Sequence, residues 1–293
     1  MRSNKDNHIV SVIIPTINRN SLSEVLEALK NQTRLPGEII VMEDKNRRGP
    51  SIMRNEGIEK SKGDLLAFLD DDNVPEEDWL ETFINNIDKY QAECVSSNYI
   101  EEDPFLNEVR VRRKFPEVPI VNPNGFFGTG GNCMYGRTVL EECKNRHKLI
   151  FDPKIKISQN IELAWRLRSQ GFKLVYVINN VRHLKKLNPT QFINFQYHRG
   201  KGIGELYILR NSYKDISVGP GLLWDNYAPQ NPAKKWLNVI WQRIFGPFDY
   251  KSFSKFQYFI LFWIGEKAKA LGFLFTLIKE KIHERDSSAN QHE

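Results

Sequence analysis

The chain has 293 residues, of which 40% are hydrophobic and 12% aromatic, enough for one large core or one core plus a smaller appendage in a folded globular protein. Lys and Arg number 42 against 36 Asp and Glu, a net charge of +6 that is mild for this length and spread along the chain. Nucleic acid is therefore not an expected partner, although a local basic surface could serve phosphates or acidic lipid.

Strand and helix patterns alternate over the first hundred residues or so, the signature of β/α units around a largely parallel sheet. IVSVIIP (9–15) reads as a buried strand, SLSEVLEALKNQ (21–32) as an amphipathic helix opened by a serine cap, and GEIIVMED (37–44) as the next strand. PSIMRNEGIEKSKG (50–63) has helical spacing and a closing glycine, LLAFLD (65–70) is a third strand, and PEEDWLETFINNIDKYQ (75–91) predicts a helix with proline and acids in its first turn. Residues 92–157 are more irregular, with ECVSSNYI and the glycine-rich NGFFGTGGNCMYGR (124–137). ISQNIELAWRLRSQG (157–171) restores a helix ending at Gly171, and FKLVYVI (172–178) follows as a strand. A boundary is expected near 213–232, where the chain turns rich in Gly, Pro and Asn, giving an α/β domain over 1–213 and a helical extension over 214–293.

Cys94, Cys133 and Cys143 show no CxxC spacing, so neither a zinc site nor a disulfide framework is indicated, and a reducing compartment fits best. The segment MRSNKDNHIV lacks an apolar h-region, so no cleaved signal is expected, and no uninterrupted run reaches the roughly 18 apolar residues of a transmembrane helix.

The chemistry concentrates at strand ends. Asp70, Asp71 and Asp72 end the third strand, and three adjacent carboxylates raise one another's pKa unless something cationic neutralises them. Mg²⁺ or Mn²⁺ would do so while keeping open positions for substrate phosphates. The blander alternative is a polar turn capping the helix that starts near Pro75, with Asn73 as the cap. Glu43 and Asp44 end the second strand, a place suited to a ribose or base edge. Lys45, Arg47, Arg48 and Arg54 follow, either a grip for a diphosphate or a solvated charged face. The first strand runs into PTINRN instead of G-x-G-x-x-G, and G-x-x-x-x-G-K-[ST] is absent, which disfavours a nicotinamide dehydrogenase and a P-loop protein.

Taken in order, VSVIIPTINRN, IIVMEDKN, GPSIMRNEGIEKSKGDLLAFLDDDNVPEEDWLE, GTGGNCMYGR and SQNIELAWRLRSQG resemble the successive blocks of family 2 glycosyltransferases of GT-A fold, over residues 9 to about 210. The resemblance implies a metal-dependent transfer of a sugar from a nucleoside-diphosphate sugar to a hydroxyl acceptor, a glycan or a lipid-linked one, with inversion. It places the nucleotide sugar against Pro15, Thr16, Asn18, Asp44, Arg54, Asp70 and Asp71. It gives the metal Asp70 and Asp72, with His183 in NNVRHLKKL as a third ligand, and it puts Gly128, Gly130, Gly131 and Asn132 on the acceptor side. The metal would stabilise the charge developing on the leaving nucleoside diphosphate.

One departure matters. The helix block of inverting members begins Glu-Asp, and the aspartate is the general base; here the pair is Gln159-Asn160, and an amide cannot take a proton at useful pH. Either Glu162 supplies the carboxylate by a shift at the helix start, or the protein is a catalytically impaired nucleotide-sugar binder. A sugar-1-phosphate nucleotidyltransferase is a further rival, but its glycine-rich basic signature is missing from VIIPTINRN.

Residues 234–282 are dense in Trp, Phe, Leu and Ile, interrupted by lysines. FQYFILFWI and LGFLFTLI are apolar runs split by GEKAKA, each too short to span a bilayer. Aromatic faces beside lysines suit a membrane interface, and the alternative is a helical pair packed on protein. The expected location is cytoplasmic, peripheral on the cytoplasmic face of a membrane.

Overall fold

The computed structural model describes residues 8–111, 117–123, 127–155, 157–179, 181–209 and 253–289. Strand β1 (Val10–Thr16) is buried at every position and lies between β2 (Glu38–Glu43) and β3 (Leu65–Leu69), parallel to both. Strands covered on both faces read as continuous apolar runs, which is why SVIIP and LLAFL show no alternation. Helices α1 (Leu22–Lys30) and α2 (Pro50–Lys60) make the two crossovers. The chain continues through β4 (Asn73–Pro75), α3 (Trp79–Tyr90), β5 (Cys94–Ser96), β6 (Ile100–Glu101), α4 (Pro104–Val111), β7 (Ile120–Val121) and β8 (Asn132–Gly136). Then come α5 (Arg137–His147), α6 (Gln159–Ser169), β9 (Leu174–Tyr176) and β10 (Val181–His183).

Seven strands form the main sheet in the order β2-β1-β3-β8-β5-β9-β7, with β8 and β7 antiparallel to their neighbours. It is the mixed, mostly parallel sheet flanked by helices that the GT-A resemblance implies. Its two faces carry separate cores. Val12, Ile14, Ala67 and Leu69 meet Val25, Leu29, Trp79 and Phe83 of α1 and α3, whereas Ile13, Leu66 and Phe68 meet Met53, Leu140 and Leu163 of α2, α5 and α6. Alternate residues of one strand thus feed opposite layers. A small second sheet, β4-β10-β6, sits beyond the carboxyl end of β3.

The helix expected from Pro75 starts later. Asn73–Pro75 is drawn into antiparallel pairing with β10, Asn73 opposite His183, and the helix begins at Trp79 behind a turn in which Trp79 N donates to Glu76 O. Proline tolerates a strand edge as well as a first helical turn, and pairing with a segment more than a hundred residues away decided between them. Asn73 is accordingly no helix cap: its Nδ2 donates to Gly131 O at 2.8 Å.

The chain divides into two compact units, the first running to Lys185 and the second holding α7 (Pro189–Leu209) and α8 (Phe256–Ala289). The expected domain boundary at 213/214 lies outside the described residues, as does the stretch 234–252 of the aromatic tail. The two apolar runs of the tail lie on one continuous helix, α8. Within this unit α7 and α8 touch backbone to backbone through glycines. A Cβ on Gly200 would meet Lys269 O at 1.9 Å, and one on Gly272 would meet Tyr197 O at 2.0 Å.

Gly272→Val is expected to destabilise the chain by about 2 kcal/mol or more, because backbone on the facing helix cannot step aside as a side chain can. Gly136→Ala, whose Cβ meets nothing closer than 3.6 Å, should stay within roughly 0.5 kcal/mol of the wild type. Urea unfolding followed by circular dichroism checks both.

Candidate active site

The three aspartates that follow β3 diverge, and each finds a different partner. Asp71 turns inward and is almost fully buried, accepting from Thr16 Oγ1 at 2.5 Å and from the Arg19 guanidinium. Because β1 and β3 run parallel and in register, the end of one strand delivers Thr16 and Arg19 directly beside the end of the other. Thr16 Oγ1 also accepts from Asn18 N at 2.8 Å, and Asn18 takes a left-handed backbone, φ 63°, to make that turn. Pro15, just before it, is buried in β1.

Asp70 turns the other way, to Arg54 on α2, whose Nη2 lies 2.7 Å from its Oδ1. Arg54 is buried, with its guanidinium carbon 5.6 Å from the centre of the Phe151 ring. Behind Asp70 runs the glycine loop: a Cβ on Gly131 would stand 2.2 Å from the Asp70 carboxylate and would push it out of its pair with Arg54.

Asp72 faces His183. Asp72 Oδ1 and His183 Nε2 are 3.6 Å apart, an ion-pair distance, while His183 Nδ1 is hydrogen-bonded to Glu101 Oε2 at 2.6 Å and the Tyr99 ring lies 4.2 Å from the imidazole, centre to centre. The small sheet builds this contact: His183 pairs with Asn73 on one side and Glu101 on the other, and Leu184 N donates to Asp72 O. Burial works against a charge on His183, but Asp72 and Glu101 outweigh it and push its pKa up to about 10. Burial likewise disfavours the Asp72 carboxylate, and His183 and Arg19 more than offset it, holding its pKa below the usual range. Arg19, whose Nη1 is 3.4 Å from Asp72 Oδ2, is half-exposed; desolvation is outweighed by Asp72 and Asp71, and its pKa rises.

Asp72 and His183 suit a hard divalent cation. Glu101 occupies Nδ1, so Nε2 is the ring nitrogen turned to the acid; Mg²⁺ or Mn²⁺ would have to displace the Nε2 proton that the raised pKa keeps there before carboxylate and imidazole could act as a donor pair. Asp70, expected as a further ligand, stands apart because Arg54 holds it. Among the described residues, no three or more His, Cys, Asp or Glu side chains gather into a metal cage.

Asp44 ends β2 beside β1, its backbone N donating to Thr16 O at 2.7 Å. Its carboxylate accepts from Arg48 N at 2.8 Å and Gly49 N at 2.6 Å, fixing the loop that opens α2. Burial disfavours its charge, but these two amides hold its pKa below the ordinary value. Of the basic residues beside it, Arg48 bridges Glu56 at 2.7 Å and Lys45 lies 3.7 Å from Glu43.

Three expectations need correcting. Glu162 is not available as a base: it is buried on α6 in a two-pronged pair with Arg166, Nε to Oε1 at 2.7 Å and Nη2 to Oε2 at 2.8 Å. Arg166 Nη1 reaches on to Leu149 O at 3.1 Å, so the pair pins the 149–150 segment to the helix. Asn132 is wholly buried and cannot meet an acceptor; Trp79 Nε1 donates to its Oδ1 at 2.8 Å and its Nδ2 donates to Asn98 O at 2.5 Å. Asn160 is a clamp: its Nδ2 donates to Phe127 O at 2.8 Å and Gly128 O at 3.1 Å, contacts that two carbonyls grant only to a donor. The clamp holds the loop that carries Gly130, where a Cβ would lie 3.5 Å from both Arg54 Nη1 and Asn160 Oδ1, an ordinary contact. Gly128 itself has φ 42° and a Cβ there would strike Ser96 Oγ at 2.3 Å.

Sequence reasoning missed Arg19 and Glu101. Arg19 was legible, because a basic residue just past the end of one parallel strand must neighbour acids past the end of the next. Glu101 lies in a two-residue strand with no local signal.

A mixed α/β sheet thus collects acids, guanidinium groups and a glycine loop at its strand ends, the place where open α/β sheets bind ligands. Residues 40–144 match the family model described as Glycosyl transferase family 2. Curated relatives include "Glycosyltransferase GlyA" of Streptococcus pneumoniae serotype 4, 30% identical over 89 residues that cover 30% of this chain and 13% of that protein. They also include the "Glucosyl-dolichyl phosphate glucuronosyltransferase" of Haloferax volcanii, 30% identical over 103 residues, covering 26% of this chain and 33% of the relative. The match thus spans a third or less of these relatives' own length. Among solved structures, GalNAc-T7 with UDP, GalNAc and Mn²⁺ aligns at 17% identity with a TM-score of 0.48, over 74% of this chain and 53% of the other. Over residues 40–144, about a third of its length, the chain is similar to glycosyl transferase family 2.

Glu162→Gln is expected to lower stability by about 3 kcal/mol, since it leaves the buried Arg166 charge without its counter-ion. A purely catalytic glutamate would leave the urea midpoint unchanged. Asn160→Asp should cost roughly 2 kcal/mol at neutral pH, as a carboxylate would face two carbonyl oxygens, and the same unfolding measurement reads it.

Proposed function

We propose that the protein transfers a sugar from a nucleoside-diphosphate sugar to the hydroxyl of a glycan or lipid-linked acceptor, with Mg²⁺ or Mn²⁺ held by Asp72 and His183. The observation that carries the proposal is the arrangement of three consecutive carboxylates, within the family-matching segment, into three separately partnered arms around the end of β3. The match of residues 40–144 to glycosyl transferase family 2 supports a transferase; the donor-binding and metal assignments rest on the arms.

In this reading the cation, when bound, supplies Lewis-acid stabilisation to the diphosphate leaving group. Arg19, half-exposed beside Asp71 and Asp72, presents a guanidinium to the anionic donor. Thr16 and Asn18 shape the turn on which the nucleotide rests, and Asp44 keeps the adjoining loop in place. The clamp from Asn160 fixes the glycine loop, whose bare backbone lets the acceptor approach. The proposal locates this chemistry in the cytoplasm, with acceptor encounter at a membrane surface.

A second reading has a specific observation behind it. Asn160 is an amide bonded to two carbonyls and the Glu162 carboxylate is locked on Arg166, so the inverting base implied by the resemblance has no free carboxylate at either position. A nucleotide-sugar binder that transfers poorly would look the same, and inversion is accordingly no part of the proposal.

Calorimetric titration with UDP-, GDP- and TDP-sugars, with and without Mn²⁺, tests the donor site. Asp72→Ala should weaken Mn²⁺-supported binding on the order of 100-fold. Binding that ignores the metal and survives the substitution overturns the proposal, and turnover of the bound donor with added acceptors separates transferase from binder.

A further inference from the structure

Helix α8 has two apolar faces and uses only one of them. Phe262, Ala270 and Phe273 are buried, with Gly265 and Gly272 close against Phe192 and Tyr197 of α7, so this side is already covered within its own unit. The other side carries Ile260, Trp263, Leu271, Phe275, Ile278 and Ile282, each between 38% and 58% exposed. At about 1.5 Å per residue these positions run some 33 Å along the helix, and their spacings of three, four and eight keep them on one stripe. An apolar strip of that length in water calls for a partner.

Charge says which partner. Lys267 Nζ lies 4.7 Å from the centre of the exposed Trp263 ring, Lys201 of α7 lies 5.3 Å from that of Phe275, and Lys279 stands on the stripe's flank one residue after Ile278. The acids of this stretch lie elsewhere: Glu266 is buried and paired with Lys269, and Glu280 is two residues past Ile278, about 200° around the helix. A second copy docked stripe to stripe would bring lysine rows against lysine rows. Anionic headgroups bring the opposite charge, and an aromatic ring capped by lysine suits the headgroup boundary. Insertion across the bilayer is not the mode, since no described helix is long and apolar enough to cross a membrane.

We propose that the Ile260–Ile282 stripe of α8, flanked by Lys201, Lys267 and Lys279, is a docking surface for an anionic lipid membrane and lies in its interface plane. It deepens the lipid-linked side of the sugar-transfer reading by naming the surface that meets the lipid, and it stands on observations outside the donor site.

Co-flotation of the full chain with vesicles of phosphatidylcholine, with or without phosphatidylserine, tests it. The wild type should float with the anionic vesicles, less so as salt is raised. Leu271→Ser with Ile278→Ser, and separately Lys267→Glu with Lys279→Glu, should each weaken association by about tenfold or more. Both pairs are surface changes, and a thermal melt verifies that each variant is folded. The proposal is overturned by absence of flotation, by equal association with neutral vesicles, or by a dimer in light scattering that the serine pair dissolves while vesicle binding is nil. Nucleotide-sugar titration of the same variants is expected to match the wild type; a failed donor site would show there and leave flotation untouched.

Discussion

The constraint on which this site depends is the repulsion among three consecutive carboxylates at the end of a buried strand. Side by side they would resist ionisation, and the fold answers by separating them. Asp71 goes inward to Thr16 and Arg19, Asp70 to the buried Arg54, and Asp72 to His183 of the small sheet. Each partner comes from a different element, so the geometry of β1, α2 and the small sheet is tied to one three-residue stretch. An unpaired buried charge costs several kcal/mol, which makes these pairings conditions of folding as well as of binding. The arrangement is thus already balanced by protein cations, Arg19, Arg54 and His183.

The glycine loop and α6 show how residue types that look catalytic serve architecture. Asn160 ties α6 to the carbonyls of Phe127 and Gly128, and Glu162 ties α6 to Arg166 and through it to the 149–150 segment. Both hold a backbone in place. The loop so held brings Gly131 against the Asp70 carboxylate, where a larger side chain would displace it from Arg54. The shape of this loop depends on packing and amide hydrogen bonds more than on any exposed acid. In the second unit glycines again set the spacing, letting α7 and α8 meet backbone to backbone while the outer side of α8 keeps its own apolar stripe.

Much of this was legible in the sequence. Continuous apolar runs gave β1 and β3, amphipathic spacing gave α1 and α3, and the block order pointed to the family before any coordinate was known. The acid run was placed correctly at a strand end. What failed failed for a common reason. The start of α3, the unavailability of Glu162, the burial of Asn132 and the importance of Glu101 all depend on which distant segment lies opposite. Asn73 pairs with His183, Asn132 with Trp79 and Asn98, and Glu101 with His183.

Hydrophobic period and residue chemistry are local properties, so the sequence by itself determined the layers of the sheet, the strand ends where charge collects and the likeness of residues 40–144 to a known family. Hydrogen-bond partners and burial are long-range properties set by strand register and helix docking. Only the tertiary structure decided that Asn160 is a clamp, that Glu162 is half of a buried ion pair, and that Asp72 faces His183 while Asp70 is held by Arg54.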